Sequence, residues 1–306
     1  MNFRLFNAKT TNFFLTISTL MIFLVGCSKI EKSKDELQVV TFNVRYDNPN
    51  DGQNVWGMRV PIIESYFAKE TPDIIGMQEV KHNQILDLQK ILPGFDFVGT
   101  GRDDGKRGGE YTPVFYKKDK FILLKNSQFW LSETPEVPGS VGWDAAITRI
   151  VTWAKFENKS NGKTFYFFNT HFDHRGVKAR EMSPHLLSDK ITEIAANLPV
   201  IVTGDFNIRK NHATLGSSVY DNLIVTLESN NSLINTQFIS ETPVNTAGST
   251  STGFSSDWTV GEIGDAIDYI FVNEHFKVKS YRVDRVMENG IFISDHWPVV
   301  SNITID

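Results

Sequence analysis

The chain has one cysteine in 306 residues, Cys27. A lone thiol excludes an intramolecular disulfide, so a conventional apolar core has to hold the fold together in any compartment. Low-complexity tracts and internal repeats are absent. No Cys/His cluster offers a structural zinc site. Positive charge is in deficit, with 31 Lys and Arg against 36 Asp and Glu, which argues against a surface built to collect polyanions. The pair Gly99 and Gly101 lacks the third glycine and the strand-to-helix context of a dinucleotide loop. Only one long apolar run exists, residues 13–25, and it contains Thr16, Ser18 and Thr19.

That run is preceded by Arg4 and Lys9 and is shorter than the ~20 residues of a spanning helix. It reads as a signal peptide over residues 1–26. It ends in Leu24-Val25-Gly26-Cys27, which resembles a bacterial lipobox. The resemblance implies that Cys27 is lipidated and becomes the first mature residue. A secreted protein with an isolated cysteine is the alternative. Residues 27–36 are short, polar and charged, as a tether is. Removal of Arg4 and Lys9 leaves 29 basic against 36 acidic residues, a formal charge of −7 in place of −5.

The body, residues 37–306, is long enough for a large core, and 23 Phe are available to fill it. Strand patterns at 37–44 and 73–77 alternate with helical patterns at 61–69 and 82–92. The middle is strand-rich, at 112–116, 121–130, 148–156 and 164–170, and antiparallel pairing is expected there. A helix is expected over 177–197, then strands at 199–203, 266–272, 278–283 and 298–303. Residues 228–257, rich in Ser, Asn and Thr, read as irregular surface within one domain.

Six polar clusters sit at the ends of these strands, where a rigid sheet aims side chains into a shared cleft. They are Thr41-Phe42-Asn43-Val44-Arg45, Gln78-Glu79, Asn169-Thr170-His171-Phe172-Asp173-His174, Gly204-Asp205-Phe206-Asn207, Ile267-Asp268-Tyr269-Ile270 and Ser294-Asp295-His296-Trp297-Pro298. One such cluster is as readily a turn or cap. Together, in this order and spanning the whole body, they resemble the endonuclease/exonuclease/phosphatase superfamily, relatives of deoxyribonuclease I.

The resemblance implies an α/β (α+β) four-layer sandwich, two packed mixed β-sheets flanked by helices, with the cleft at one end. It implies a metal-dependent hydrolase cleaving a phosphoester by in-line water attack, which needs hard oxygen ligands and donors for spreading negative charge. Glu79, Asn43 and Asp295 would hold Mg²⁺ or Mn²⁺. Asp205 would orient or deprotonate the water, Asn207 and His171 would contact phosphoryl oxygens, and Asp268 would hold His296 in its cationic form. Arg149, Trp143, Tyr111, His174 and Arg175 are candidate substrate contacts, the aromatic ones on glycine-containing loops. His82, His185, His212 and His275 read as surface or capping residues.

The expected substrate is a phosphomonoester or phosphodiester outside the cytoplasm, such as a phosphorylated glycan, a lipid head group or a small phosphate ester. An extracytoplasmic nuclease acting on DNA or RNA is the alternative, with Arg175 to Arg180 its only basic cluster near a motif. A binding protein that kept the fold would have lost a metal or base residue, and a glycosidase leaves Asn43, Asn207 and His296 without a role. The protein is expected to be a monomer in the bacterial cell envelope, touching the membrane through its lipid alone.

Overall fold

The computed structural model describes residue 1 and residues 35–210, 217–244, 248–255 and 266–306. The signal peptide, most of the tether including Cys27, and His212 lie outside the described residues. The first part of the body runs β1 (Glu36–Asn43), α1 (Trp56–Glu70), β2 (Ile74–Gln78), α2 (His82–Ile91), β3 (Phe95–Val98) and β4 (Val114–Lys117). The middle runs β5 (Phe121–Trp130), β6 (Ile150–Asn158), β7 (Thr164–His171), α3 (Val177–Ala195), β8 (Val200–Asp205) and α4 (Ser218–Asn231). Then follow β9 (Ile234–Asn235), α5 (Thr236–Ile239), β10 (Thr242–Val244), β11 (Asp268–Val272), β12 (Phe276–Val283), β13 (Met287–Glu288), β14 (Ile291–Phe292) and β15 (Val299–Ile305).

The strands form two mixed sheets, ordered β10-β12-β15-β1-β2-β4-β3 and β5-β6-β7-β8-β11-β9, beside a small β13–β14 ribbon. The expected antiparallel pairing of the middle strands is present in β5, β6 and β7. Successive strand residues point to opposite faces, and the second sheet uses both. Phe165, Phe167, Ile201, Ile270 and Val272 face the first sheet and join the core that also holds α1 and α2 residues. Tyr166, Phe168, Val202, Tyr269 and Phe271 face the other way, onto Leu187 and Ile191 of α3 and Leu223 and Leu227 of α4. Alternation between two apolar faces makes this the buried sheet of a helix, sheet, sheet, helix stack. Each fully buried Phe contributes about 1.5–3 kcal/mol of transfer free energy. Both cores are built from residues of one compact unit, Lys34–Asp306, which therefore carries what it needs to fold without the segment before it.

Helix α4 and the strands β13 and β14 have no counterpart in the sequence expectation, and three further stretches depart from it. Helix α1 starts at Trp56, not at Pro61, because the proline sits early enough that its missing N–H deprives only Gly57 of a partner. It buries Trp56, Ile62, Ile63, Tyr66 and Phe67 at helical spacing and stops at Thr71, which takes a left-handed φ of 47°. The stretch 228–257 is not wholly irregular: it holds the end of α4, then β9, α5 and β10. The two short strands lie at sheet edges, β9 on β11 and β10 on β12, where exposed positions accept Ser, Asn and Thr. Strand β3, four residues with Asp96 at its centre, is too short for its alternation to show.

Candidate active site

The interior between the sheets changes from apolar to polar toward the C-terminal ends of β1, β2, β7 and β8. The first polar rung is structural. The Asn169 amide nitrogen donates to Met77 O (2.7 Å) and Pro113 O (3.0 Å), while its Oδ1 accepts from Gln78 Nε2 (2.7 Å) and Thr203 Oγ1 (3.0 Å). Gln78 Nε2 also donates to Thr41 Oγ1. This rung needs a glycine opposite it. A Cβ on Gly76 would lie 2.1 Å from Thr203 Oγ1 and 2.6 Å from Asn169 Oδ1.

Two residues further along each strand, the same parity delivers the chemistry. Asn43 follows Thr41, His171 follows Asn169, and Asp205 follows Thr203. Register then sets the neighbours: Asp205 lies between His171 on β7 and Asp268 on β11. From the facing sheet, Asn43 Nδ2 donates to Asp205 Oδ2 (3.0 Å) and Glu79 Oε1 (3.1 Å). His171 Nε2 and His296 Nε2 lie 3.4 and 3.8 Å from Asp205 Oδ2. His296 Nδ1 meets Asp268 Oδ2 at 2.9 Å, and the same oxygen accepts from Thr250 Oγ1 (2.6 Å). Behind them Ser294 Oγ donates to Asn43 O. Arg45, Glu79 and Asn207, each just past a strand end, adopt left-handed φ of 57°, 61° and 50°. Such strain, about 1–3 kcal/mol per residue, concentrates where side chains must be aimed.

The two histidines differ in charge. Burial lowers the His171 pKa well below the usual imidazole value, and Arg149 and Arg102 push it the same way, so His171 is neutral. Burial also opposes charge on His296, yet Asp268 and Asp205 overcome it and hold its pKa well above the usual value. Asp205 is pushed up to about 7 by burial and then by Asp268, against the charge of His296. Asp295 is raised by burial and Glu79, in spite of His296 and Arg45.

These groups open into a cleft of about 600 Å³. Arg149 lines it, 3% exposed, its Nη1 without a hydrogen-bond partner. Arg149 Nη2 lies 2.9 Å from His174 Nδ1. A guanidinium only donates, so the His174 proton sits on Nε2. Arg45, Lys81 and Glu110 also line the cleft. None was singled out as a substrate contact in the sequence, although Arg45 closes the first motif. Asp173 positions the turn beneath His174, accepting from Arg175 N (2.9 Å) and Gly176 N (2.6 Å).

Three of the five candidate substrate contacts do not line the cleft. Tyr111 is 3% exposed and donates its hydroxyl to Lys106 O (3.2 Å), beside His82, which fastens the 101–110 loop. Trp143 belongs to a turn whose backbone N–H is held by Glu133. Arg175 lies in the turn held by Asp173 and gives its carbonyl to Arg180 Nη2. Thr250, which orients Asp268, escaped notice because it sits in a Ser/Thr-rich stretch with no motif around it. His275 hydrogen-bonds Asn197 O, a capping role as expected.

The donor set fits a divalent cation. Ligand atoms of Glu79, His171 and Asp205 lie within 4.8 Å of one another, and a buried carboxylate with a raised pKa, as Asp205 is, is what a hard cation relieves. Asn43 ties Glu79 to Asp205, whereas Asp295 stands further back, its Oδ2 3.6 Å from Arg45 Nη1.

With this geometry in view, comparison with known proteins is decisive: the model of the endonuclease/exonuclease/phosphatase family matches residues 40–296. The chain belongs to that family. A family structure from Bacteroides vulgatus is 39% identical, with a TM-score of 0.80, over 89% of this chain and 99% of the other. The structure of a mannosyl-6-phosphatase from Bacteroides thetaiotaomicron is 36% identical, with a TM-score of 0.76, over 88% of this chain and 100% of the other. An uncharacterised protein of Acanthamoeba polyphaga mimivirus is 29% identical over 263 residues, 80% of this chain and 91% of its own length. The two solved structures share the two-sheet α/β sandwich. The family is one of hydrolases, and divalent metals are common in it.

Proposed function

We propose that the protein is a Mg²⁺- or Mn²⁺-dependent phosphomonoesterase that acts on a phosphorylated sugar or glycan outside the cytoplasm of a bacterium, held at the membrane through Cys27. The observation that carries this reading is Asp205, a buried carboxylate with a pKa near neutrality, set between a neutral His171 and a cationic His296. Asp205 accepts the proton of the attacking water. His296 supplies positive charge, and His171 and Asn207 supply polar contacts, to the oxygens on which negative charge grows. Glu79 would hold the cation, its carboxylate fixed by Asn43 Nδ2, and the cation when bound supplies charge neutralisation at the phosphate. That cation would also draw the Asp205 pKa down and favour the carboxylate.

Arg149, a buried guanidinium among the residues that line the cleft, suits the additional charge that distinguishes a monoester dianion from a diester. Tyr46 is the one aromatic residue among the described residues that line the cleft. A nuclease needs several stacking surfaces beside its basic groups, and Arg45, Lys81, Arg149 and Arg209 line the cleft without such surfaces among the described residues.

The test is hydrolysis by residues 34–306 with Mg²⁺ or Mn²⁺ and with EDTA, on sugar phosphates, phospholipids, bis-nitrophenyl phosphate and DNA. Metal-dependent turnover of a sugar phosphate ahead of the others is expected. Preferred cleavage of DNA or of the diester would overturn the reading.

A further inference from the structure

The cleft occupies one end of the sandwich, where β1, β2, β7 and β8 finish. The opposite end is where β1 begins at Glu36, where β6 turns into β7, and where β4 turns into β5. Eight residues of β1 separate the two ends by about 25 Å. The chemistry of the far end differs from that of the rest of the molecule. Residues 117–125 and 155–163 carry seven lysines against two acids, Asp119 and Glu157, in a chain whose formal charge is −5. Asp73 offsets part of this charge, lying 3.3 Å from Lys117 Nζ and 3.0 Å from Lys120 Nζ, and Asp35, Glu36 and Asp306 lie at the same end, so the excess of lysine is concentrated on the two turns and the β5 edge. Lys118 and Lys159 are exposed at the two turns, and Lys159 Nζ donates to Lys118 O (2.6 Å), so the turns are contiguous.

The apolar residues of this surface are equally out of place. β5 is a sheet edge, and its register with β6 shifts between Leu123 and Lys125. A bulge of this kind re-aims the extra side chain, here Leu124, which is 47% exposed. Ile122 is 42% exposed and pairs with Glu157, and Lys125 pairs with Lys155. Residues 153, 155 and 157 share a strand face by parity, so Ile122, Lys125 and Lys155 lie on one outward face beside the bulged Leu124. Edge strands are usually protected by charge alone. Two exposed aliphatic side chains on a strand edge that carries Lys120, Lys125 and Lys155 are instead the composition of a surface that rests on anionic headgroups with its apolar groups at the acyl boundary.

We infer that the lysine-rich end, with Ile122 and Leu124, is a second membrane contact that lies on an anionic bilayer and holds the catalytic cleft pointing away from it. Position supports this occupant over any other. Lys120 Nζ donates to Glu36 O (2.7 Å) and Asn161 Nδ2 to Asp35 Oδ1 (2.7 Å), so the surface surrounds the first residues of the body. Eight residues lie between Cys27 and Glu36, and the nine Cα-to-Cα steps reach no more than about 30 Å when extended. A chain anchored at Cys27 keeps this end near the bilayer. The catalytic residues then face solvent about 25 Å further out, where they meet substrates arriving from outside and not the headgroups beneath the protein.

The experiment uses residues 34–306, which lack the lipid, so it is independent of lipidation and of the enzymatic assignment. Sedimentation with vesicles of phosphatidylcholine alone, and of phosphatidylcholine with about one third phosphatidylglycerol, measures partitioning at low and at physiological salt. Binding is expected only to the anionic vesicles, and weaker at the higher salt. Reversal of Lys118→Glu, Lys125→Glu and Lys159→Glu together is expected to reduce the partition coefficient by roughly 100-fold, about five-fold per lysine. Reversal of Lys69, Lys90 and Lys178, exposed elsewhere, changes net charge equally and should leave binding within a few-fold of wild type. Ile122→Ser with Leu124→Ser should weaken binding and keep its salt dependence, and hydrolysis in solution should be unaffected by any of these sets. Absence of binding to anionic vesicles overturns the inference, as does equal loss from the two lysine sets.

Discussion

Replacing Asp268 by Asn isolates the charge that the site spends on His296. The Asn Oδ1 can take the position of Asp268 Oδ2, where it still accepts from Thr250 Oγ1 and from the imidazole Nδ1–H, now 2.6 and 2.9 Å away. Geometry is therefore conserved and one negative charge is lost. At 2.9 Å and an effective dielectric constant of about 20, that charge stabilises the imidazolium by roughly 6 kcal/mol, partly returned because Asp205 is freed of a like-charged neighbour. The loss bounds the rate effect from above, and removal of a positioned acid or base costs about 10²–10⁴-fold. The expected outcome is a fall in kcat of that size at saturating metal, with thermal unfolding near wild type. The sign of the pH effect follows from the direction of the shift. The wild-type imidazolium persists to high pH because its pKa is raised. Without Asp268 the proton leaves at lower pH, so the alkaline limb of the kcat profile moves toward neutrality. A variant with wild-type kcat and an unmoved alkaline limb would refute the charge assignment of His296.

Glu79→Gln should raise the metal concentration needed for half-maximal rate, by about ten-fold or more, while leaving measurable turnover at high metal; a metal titration of the rate checks it. Asp205→Asn should abolish turnover with metal binding largely retained, read by calorimetry alongside activity, and wild-type rates in both variants would refute the site assignment. Gly76→Ala should destabilise the fold by about 2–4 kcal/mol in urea unfolding, because its methyl group meets Thr203 and Asn169 in a rung that has no room to shift; a loss below about 0.5 kcal/mol would mean the rung is not rigid. Cys27→Ser should move the protein from the membrane to the soluble fraction on cell fractionation, and unchanged partitioning would contradict lipidation.

The catalytic set was legible in the sequence because it is carried by strand ends. Asn43, His171 and Asp205 close strands, and alternation assigns their faces, whereas Glu79 and His296 lie just outside strands and were reached through the order of the motifs. The substrate contacts were legible only in part. Arg149 and His174 flank strand ends and line the cleft, whereas Tyr111 and Trp143 were chosen because aromatic residues beside glycines often mark ligand loops. In this protein such a loop is held by its own hydrogen bonds, Tyr111 to Lys106 and Trp143 N to Glu133, contacts between loop segments that no periodicity encodes. Thr250 is hidden for the same reason. Its role depends on a loop passing behind β11, and nothing local distinguishes it from the other Ser and Thr residues of that stretch.

One parity rule connects fold to chemistry in this molecule. Thr41, Gly76, Gln78, Asn169 and Thr203 are inward-facing residues that close the interface between the sheets with hydrogen bonds and leave no space for water. Asn43, His171 and Asp205 are the next inward positions on the same strands, at the level where the interface opens to solvent. The rung beneath fixes their backbone, and register places His171 and Asp268 on either side of Asp205. A one-residue slip of β8 against β7 would turn Asp205 into the outer core and bring Gly204 to its place. The precision of the site is therefore a property of sheet register, and the Asn169 rung keeps that register by bonding β7 to β8 and to the opposite sheet at once.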